Sequence, residues 1–514
     1  MMKKFSGSVF ARILAVLLTI LLQGAALVVM FLLFRHEFAW FYAACALLSL
    51  AAALVILRQD SLPEYKLAWL VPILLLPIFG GLLYVLFGRV RPTKRERLLA
   101  ETVSRRYEDA LDAPRFAAAA DEAQQALAQR SPDAAVQSAY IRRMARAPVF
   151  AGTQVRYFPL GEDMFAQLCD DLEHAEKFIF MEYFIIQSGK MWDTLLEILA
   201  RKAAAGVDVR VLYDDLGCLF LLPANFAQQL EAKGIRCSAF NRFTNIFSSR
   251  FNNRDHRKIC VVDGGIGYTG GINLADEYIN AKKVHGHWKD TAVRLNGTGV
   301  WSLTAMFLSL WDFVRGEDEE FLPFAPAAAA PDDGFVQPFT DTPMDDEALG
   351  ETVYTQLLAR AKKSVHITTP YLIIDSVMLH ALCAAAKSGV DVHLITPGVP
   401  DKKTVYFLTR SYYETLLRAG VKISEYTPGF IHAKSFVADG ETAVVGTINL
   451  DYRSLYLHYE CAVWMHGCAA AADVERDFAE TLRVCTPVTL EGCARVPVLK
   501  RGFLSFLRLF SPLM

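Results

Sequence analysis

The sequence predicts an α/β protein in which two copies of one α-β-α unit close around a single site, preceded by N-terminal transmembrane helices. Three observations carry that expectation. Long apolar runs open the chain, a strand–helix–strand pattern occurs twice in the remainder, and one polar motif ends each copy at matched spacing.

Size and composition set the frame. At 514 residues the chain exceeds one ordinary hydrophobic core and calls for several units. Its 53 basic and 55 acidic residues leave a formal charge of −2, so no global basic field is present to hold nucleic acid. The hydrophobic share is 53% and the mean hydropathy +0.25, with the excess concentrated at the N-terminus. Ten cysteines are scattered without a CxxC pair or a Cys/His metal spacing, which fits free thiols in a reducing compartment better than a disulfide framework.

Residues 1–90 read as a membrane anchor with three hydrophobic segments, at 13–34, 38–57 and 67–87. Each is about 20 residues without a charge, enough at helical rise to cross a hydrocarbon core of about 30 Å. Arg89, Arg91, Lys94, Arg95 and Arg97 follow the third segment and place the body on the cytoplasmic side. Lys3, Lys4 and Arg12 compete for the same side across three spans, which requires an external N-terminus or a first segment that does not fully cross.

Beyond the anchor, residues 91–150 read as a helical connector and 151–321 as the first half of the body. A Pro/Ala/Asp-rich linker occupies 322–340, and the second half 341–495. Residues 496–514 form an amphipathic C-terminal segment, with Phe503, Leu504, Phe506, Leu507 and Phe510 set among Lys500, Arg501 and Arg508. It suits either a membrane interface or docking on the body. Within the halves, FIFMEYFII, a helical stretch and GVDVRVLYD are matched by VHITTPYLII, a helical stretch and GVDVHLITP. Both read as βαβ units with buried strands.

Each copy then ends in one version of the same motif. From His256, Lys258 lies at +2, Asp263 at +7, Gly270 at +14 and Asn273 at +17; His432, Lys434, Asp439, Gly446 and Asn449 repeat these offsets. Strand side chains at i and i+2 share a face, so each histidine and its lysine point together. The aspartates fall at an odd offset and open Asp-Gly pairs, a hairpin signal that makes turn duty a serious alternative to a catalytic one. Brought together by a pseudo-twofold, two imidazoles, two ammoniums and the Asn273 and Asn449 amides suit a phosphodiester. The lysines and amides hold its oxygens, one histidine attacks phosphorus, and the other protonates the leaving alkoxide. The lysines supply the positive charge, so neither a metal nor a cofactor is called for. Asp290 and Glu460, at equivalent places in the repeat, are the candidates for orienting the imidazoles.

HRKICVVD with GGIN, and HAKSFVAD with GTIN, resemble the paired HKD motifs of the phospholipase D superfamily over roughly residues 150–490. Thr447 stands where such motifs often carry serine and keeps the hydroxyl. YKLAWLVPILLLPIFGGLLYVLFGR and TTPYLIID resemble the membrane hairpin and second-half strand of membrane-bound bacterial cardiolipin synthases. The resemblance implies two phospholipase D-like halves around one active site, with His256, Lys258, Asp263, His432, Lys434 and Asp439 catalytic. It implies conversion of two phosphatidylglycerol molecules to cardiolipin and glycerol through a phosphohistidine, with His256 as nucleophile and His432 as acid/base. The implied partners are phosphatidylglycerol and other membrane phospholipids, not nucleic acid, and the implied location is the bacterial cell membrane, multi-pass, with a cytoplasmic body. A phospholipase D hydrolase and a phosphatidylserine-forming transferase, distinguished only by the acceptor, are alternatives; a catalytically silent membrane scaffold is another, against which the intact motifs in both halves argue.

Overall fold

The computed structural model describes residues 38–59, 61–76, 94–242, 253–331, 333–345 and 347–513, with isolated positions at 21, 24, 25, 28, 29, 32, 80, 81, 83, 84 and 88. The chain divides into two units, one built on the residues up to Arg91 and one holding Pro92–Phe243 and Asn253–Leu504.

In the N-terminal unit, Phe38–Leu57 is a 20-residue helix without a charged side chain, and Pro63–Leu75 a 13-residue helix. Trp40, Leu47, Leu48, Leu54 and Val55 of the first helix stand exposed. No helix among the described residues is long and apolar enough to cross a membrane. The expected first span falls almost entirely outside the described residues, and the third is described as continuous helix only to Leu75.

The larger unit opens with helices Lys94–Leu111, Pro114–Arg130 and Pro132–Ala145, as the connector reading expects. The first half then contributes β1 (Thr153–Phe158), β2 (Phe178–Tyr183), β3 (Asp208–Asp214), β4 (Arg236–Phe240), β5 (Lys258–Val262), β6 (Ile266–Gly270), β7 (His287–Lys289) and β8 (Ala292–Gly297). The second contributes β9 (Phe335–Asp341), β10 (Ser364–Thr368), β11 (Leu372–Ile373), β12 (Asp391–Pro397) and β13 (Lys422–Tyr426). It continues with β14 (Gly429–Ile431), β15 (Ser435–Ala438), β16 (Thr442–Gly446), β17 (Leu450–Asp451), β18 (Glu460–His466) and β19 (Cys485–Pro487).

The two main sheets share one strand order. The first runs β1-β8-β6-β5-β2-β3-β4; the second, read from its far edge, runs β9-β18-β16-β15-β10-β12-β13, with β19 added. In each, the βαβ strands pair in parallel (β2/β3 and β10/β12), while the motif hairpin (β5/β6 and β15/β16) pairs antiparallel beside them. The duplication read from sequence is therefore a duplication of topology.

That topology corrects the linker. Residues 335–341 do not connect the halves. They form β9, the counterpart of β1, paired with β18 along its whole length and buried. Pro338 disguises the strand, and β9 tolerates it because it lies at the sheet edge, where a missing N–H is not needed on the outer side.

Apolar alternation fills the space between the sheets. Phe178, Phe180, Ile259, Val261 and Val293 from the first meet Val437, Ala443, Val445, Val463 and Met465 from the second in one buried cluster. Helix Val300–Arg315 lies in the same cluster and is buried at every position from Val300 to Asp312. A helix apolar on all sides belongs in a core. Each sheet's other face carries its own cluster against its own helices. The halves are thus welded through a common core, which fixes the two motif hairpins relative to each other.

Candidate active site

Each motif folds as strand parity requires. Lys258 begins β5 two residues after His256, and Lys434 lies just before β15, two residues after His432. Both lysines are buried, and each donates through Nζ to the carbonyl of its own histidine. Arg257, the residue between His256 and Lys258, points elsewhere. Its Nε lies 2.7 Å from Glu182 of β2 and 3.2 Å from Asp255, in a buried ion-pair cluster. Glu182 thereby anchors the motif strand from behind.

The carboxylates pair across the halves. His256 Nδ1 lies 2.9 and 3.0 Å from the two oxygens of Glu460, and His432 Nδ1 lies 2.6 Å from Asp290 Oδ2. Backbone geometry makes this swap. The His256 N–H donates to the Tyr459 carbonyl and the Tyr459 N–H to the Arg254 carbonyl, at 2.9 and 2.8 Å. In the other direction β14 runs parallel to β7, and the His432 N–H donates to the Lys289 carbonyl at 2.7 Å. Each histidine strand is zipped to the strand just ahead of the other half's acid. Neither motif histidine takes its carboxylate from its own half.

Burial dominates the electrostatics. It lowers the His256 imidazole to about 3, with Glu460 pulling the other way. His432 is also held well below its ordinary value, by burial and then by Lys434 and Lys258. Burial brings Lys258 down to about 8 and Lys434 to about 7, although carboxylates from both halves oppose it. Asp290 rises to about 7 through burial, partly countered by Lys434. Burial also works against the Glu460 carboxylate, but His256 and His458 outweigh it and keep the group below the usual carboxylate range. The site therefore holds neutral imidazoles and two ammoniums close to their titration point, with Lys434 Nζ also 2.7 and 3.0 Å from the Nδ1 and Nε2 of His432. That combination suits nucleophilic attack on an anionic phosphodiester.

Other expected site residues do different work. Asp263 accepts from the backbone N–H groups of Glu176, Lys177 and Phe178 at 2.7–2.8 Å, and Asp439 from those of Lys362, Lys363 and Ser364 at 2.7–2.9 Å. Both adopt left-handed backbone, φ 50° and 55°, at the hairpin turn. A catalytic assignment for these two aspartates is corrected to a structural one: each ties its hairpin to the start of the neighbouring strand. Asn273 is committed in part. Its Oδ1 accepts from the Ile185 N–H at 3.0 Å and its Nδ2 donates one hydrogen to the Tyr278 hydroxyl at 2.8 Å, which fixes its orientation in the pocket wall and commits one of its two amide donors. Asn449 is buried, and its Oδ1 has no hydrogen-bond partner among the described residues.

The halves differ around their acids, a difference that matched motif offsets do not reveal. Thr447 and Ser454 donate hydroxyls to the two oxygens of Glu460. The repeat puts Gly271 and Tyr278 at the equivalent positions beside Asp290, which instead accepts from the Thr291 N–H at 2.8 Å. His458 lies two residues before Glu460, with its ring 5.6 Å from that of His256; Trp288 lies two before Asp290, 5.7 Å from His432. The fixed offset from the acid was the available signal for this pair. His256, His458 and Glu460 bring three ligand-type atoms within 4.8 Å of one another, the one set at this site that could hold a metal ion among the described residues. Glu460 is already occupied there by two hydroxyls and an imidazole.

Comparisons with known proteins agree with this architecture. A family model described as "Cardiolipin synthase, PLD-like domain" matches residues 168–283 and 354–482, and one described as "Phospholipase_D-nuclease N-terminal" matches 47–89. The chain is 47% identical to an uncharacterized protein of Streptococcus mutans over 377 residues, 73% of this chain and 82% of that one. It is 34% identical to a cardiolipin synthase of Geobacillus kaustophilus over 473 residues, 90% of this chain and 91% of that one. The crystal structure of phosphatidylserine synthase from Haemophilus influenzae superposes with a TM-score of 0.56 at 14% identity, covering 74% of this chain and all of the other, a likeness of fold.

Proposed function

The chain belongs to the phospholipase D-like cardiolipin synthase family, and we propose that it moves a phosphatidyl group from one phosphatidylglycerol to another, giving cardiolipin and glycerol. His256 attacks the phosphorus of the first lipid through Nε2. Its Nδ1–H faces Glu460, whose charge balances the imidazolium that forms as the P–N bond is made. His432, whose imidazolium form is favoured once the anionic phosphodiester binds beside Asp290, delivers a proton to the departing glycerol oxygen and then, as the neutral base, takes the proton of the second lipid's hydroxyl. Lys258 and Lys434 neutralise the non-bridging oxygens through both steps, and the Asn273 and Asn449 amides are further donors.

The observation that carries this reading is the pair of histidine–carboxylate contacts made across the halves, which supplies two differently buffered imidazoles to one phosphorus. The test uses purified protein in mixed micelles with labelled phosphatidylglycerol as the only lipid. Cardiolipin and free glycerol in equal amounts are expected; phosphatidic acid as the main product would replace transfer with hydrolysis.

We further propose that the N-terminal segment holds the protein in the membrane as a multi-pass anchor with the body on the cytoplasmic side. Support comes from the uncharged helix Phe38–Leu57 with its exposed apolar side chains, and from the match to the N-terminal family model over 47–89.

A further inference from the structure

The transfer mechanism leaves one question to the protein: what makes a lipid hydroxyl win over water at the phosphatidyl-enzyme. The loop from Gly398 to Lys402 leaves the C-terminal end of β12, a parallel strand, and precedes helix Lys403–Arg418. Ligands of parallel sheets are held by such loops. Asp401 is half-buried there and accepts a hydrogen bond from the Tyr371 hydroxyl at 2.6 Å. Lys402 is exposed, with Nζ 5.5 Å from the centre of the Tyr371 ring. The Tyr371 ring leads to Phe430 at 6.5 Å, and Phe430 to the His432 imidazole at 5.9 Å. The charges of both Asp401 and Lys402 act on His432, and that of Asp401 also on Tyr278, whose ring lies 5.6 Å from His432. Among the described residues neither Asp401 nor Lys402 has a salt-bridge partner.

Among the described residues the first half has no equivalent. After β3 the chain turns directly into the helix Asp215–Cys218, and Asp214 is fully buried, accepting from the N–H groups of Leu216, Gly217 and Asp255. Among the described residues an acid and a base of opposite charge therefore flank one histidine only, the one assigned to handle protons on the hydroxyl side.

We propose that Asp401 and Lys402 form the acceptor-headgroup subsite, selecting a phosphorylated polyol over water. The proposal rests on the transferase reading above. With the attacking primary hydroxyl at His432 Nε2, the neighbouring secondary hydroxyl donates to Asp401 and the acceptor's own phosphodiester pairs with Lys402. In the step itself the acceptor oxygen forms its bond to phosphorus as the P–Nε2 bond to His256 breaks, and the hydroxyl proton passes to His432.

The test reads product partition, which does not depend on how much of a preparation is active. Full-length wild type, Asp401→Ala and Lys402→Ala are supplied with phosphatidylglycerol alone in mixed micelles, and cardiolipin, phosphatidic acid and glycerol are quantified. The cardiolipin-to-phosphatidic-acid ratio is expected to fall about tenfold or more in each variant while glycerol release persists, as expected when a substrate's polar group loses its partner. A wild-type ratio in either variant, or both products falling together at constant ratio, overturns the subsite. If Asp401→Ala does not fold because Tyr371 loses its partner, the exposed Lys402→Ala decides alone. Wild type that yields only phosphatidic acid would instead overturn the transferase reading.

Discussion

A neutral imidazole attacks phosphorus, whereas an ammonium stabilises the charge that attack builds, and burial acts oppositely on the usefulness of the two. It favours the neutral form of His256 and His432 but brings Lys258 to about 8 and Lys434 to about 7. These amines are protonated below those values and lose their charge as pH rises through them. The rate constant kcat/KM is therefore expected to decline through about pH 7–8. Bound phosphodiester favours the ammonium, so the corresponding limb of kcat should lie at higher pH. A kcat/KM profile flat to pH 9.5 would contradict this. Asp263 and Asp439 predict the opposite class of effect. Replacing either by alanine strands three backbone donors, costing about 2 kcal/mol and lowering the melting temperature, while kcat per folded molecule stays within a few-fold. Thermal melts beside active-site titration separate the two. Strand parity made the roles of His256 and Lys258 legible in sequence, and the Asp-Gly pairs exposed the turn. The setting of Asn273 was less legible, because one partner, Ile185, lies 88 residues earlier in the chain.

Among the elements, the decisive ones are short. The bridge between residues 254–256 and Tyr459, and the β7/β14 pair, each carry only a few hydrogen bonds, yet they set both histidine–carboxylate distances. Sequence reading named Asp290 and Glu460 from their equivalent places in the repeat. The exchange of partners was hidden because it arises where two halves meet, and no offset within one half encodes it. The same elements explain Gly271. A Cβ there would lie 2.0 Å from Asp290 Oδ1, whereas its counterpart Thr447 is accommodated beside the longer Glu460 and hydrogen-bonds to it. Gly271→Ala is expected to push Asp290 off His432 and reduce kcat about 100-fold with little change in melting temperature. Near-normal turnover would show that Asp290 does not orient His432. β9 is masked in the sequence for a related reason: alanine and proline surround a strand whose identity comes from pairing with β18.

For the whole molecule, duplication was the most legible feature, since topology follows the repeated strand–helix–strand pattern with the same order in both sheets. The welding of the halves was not, because it depends on side chains from both sheets and helix Val300–Arg315 filling one core. Anchoring is tested on the full chain: it should stay in the membrane pellet through alkaline carbonate extraction, and release into the supernatant would place it on the surface. The central claim is that two halves build one site that passes a phosphatidyl group through a histidine. Mass spectrometry of protein denatured in alkali during turnover on phosphatidylglycerol tests it most directly. The account predicts a phosphatidyl adduct on the peptide carrying His256, absent in His256→Ala; cardiolipin accumulating without any adduct, or with the adduct on His432 alone, would contradict it.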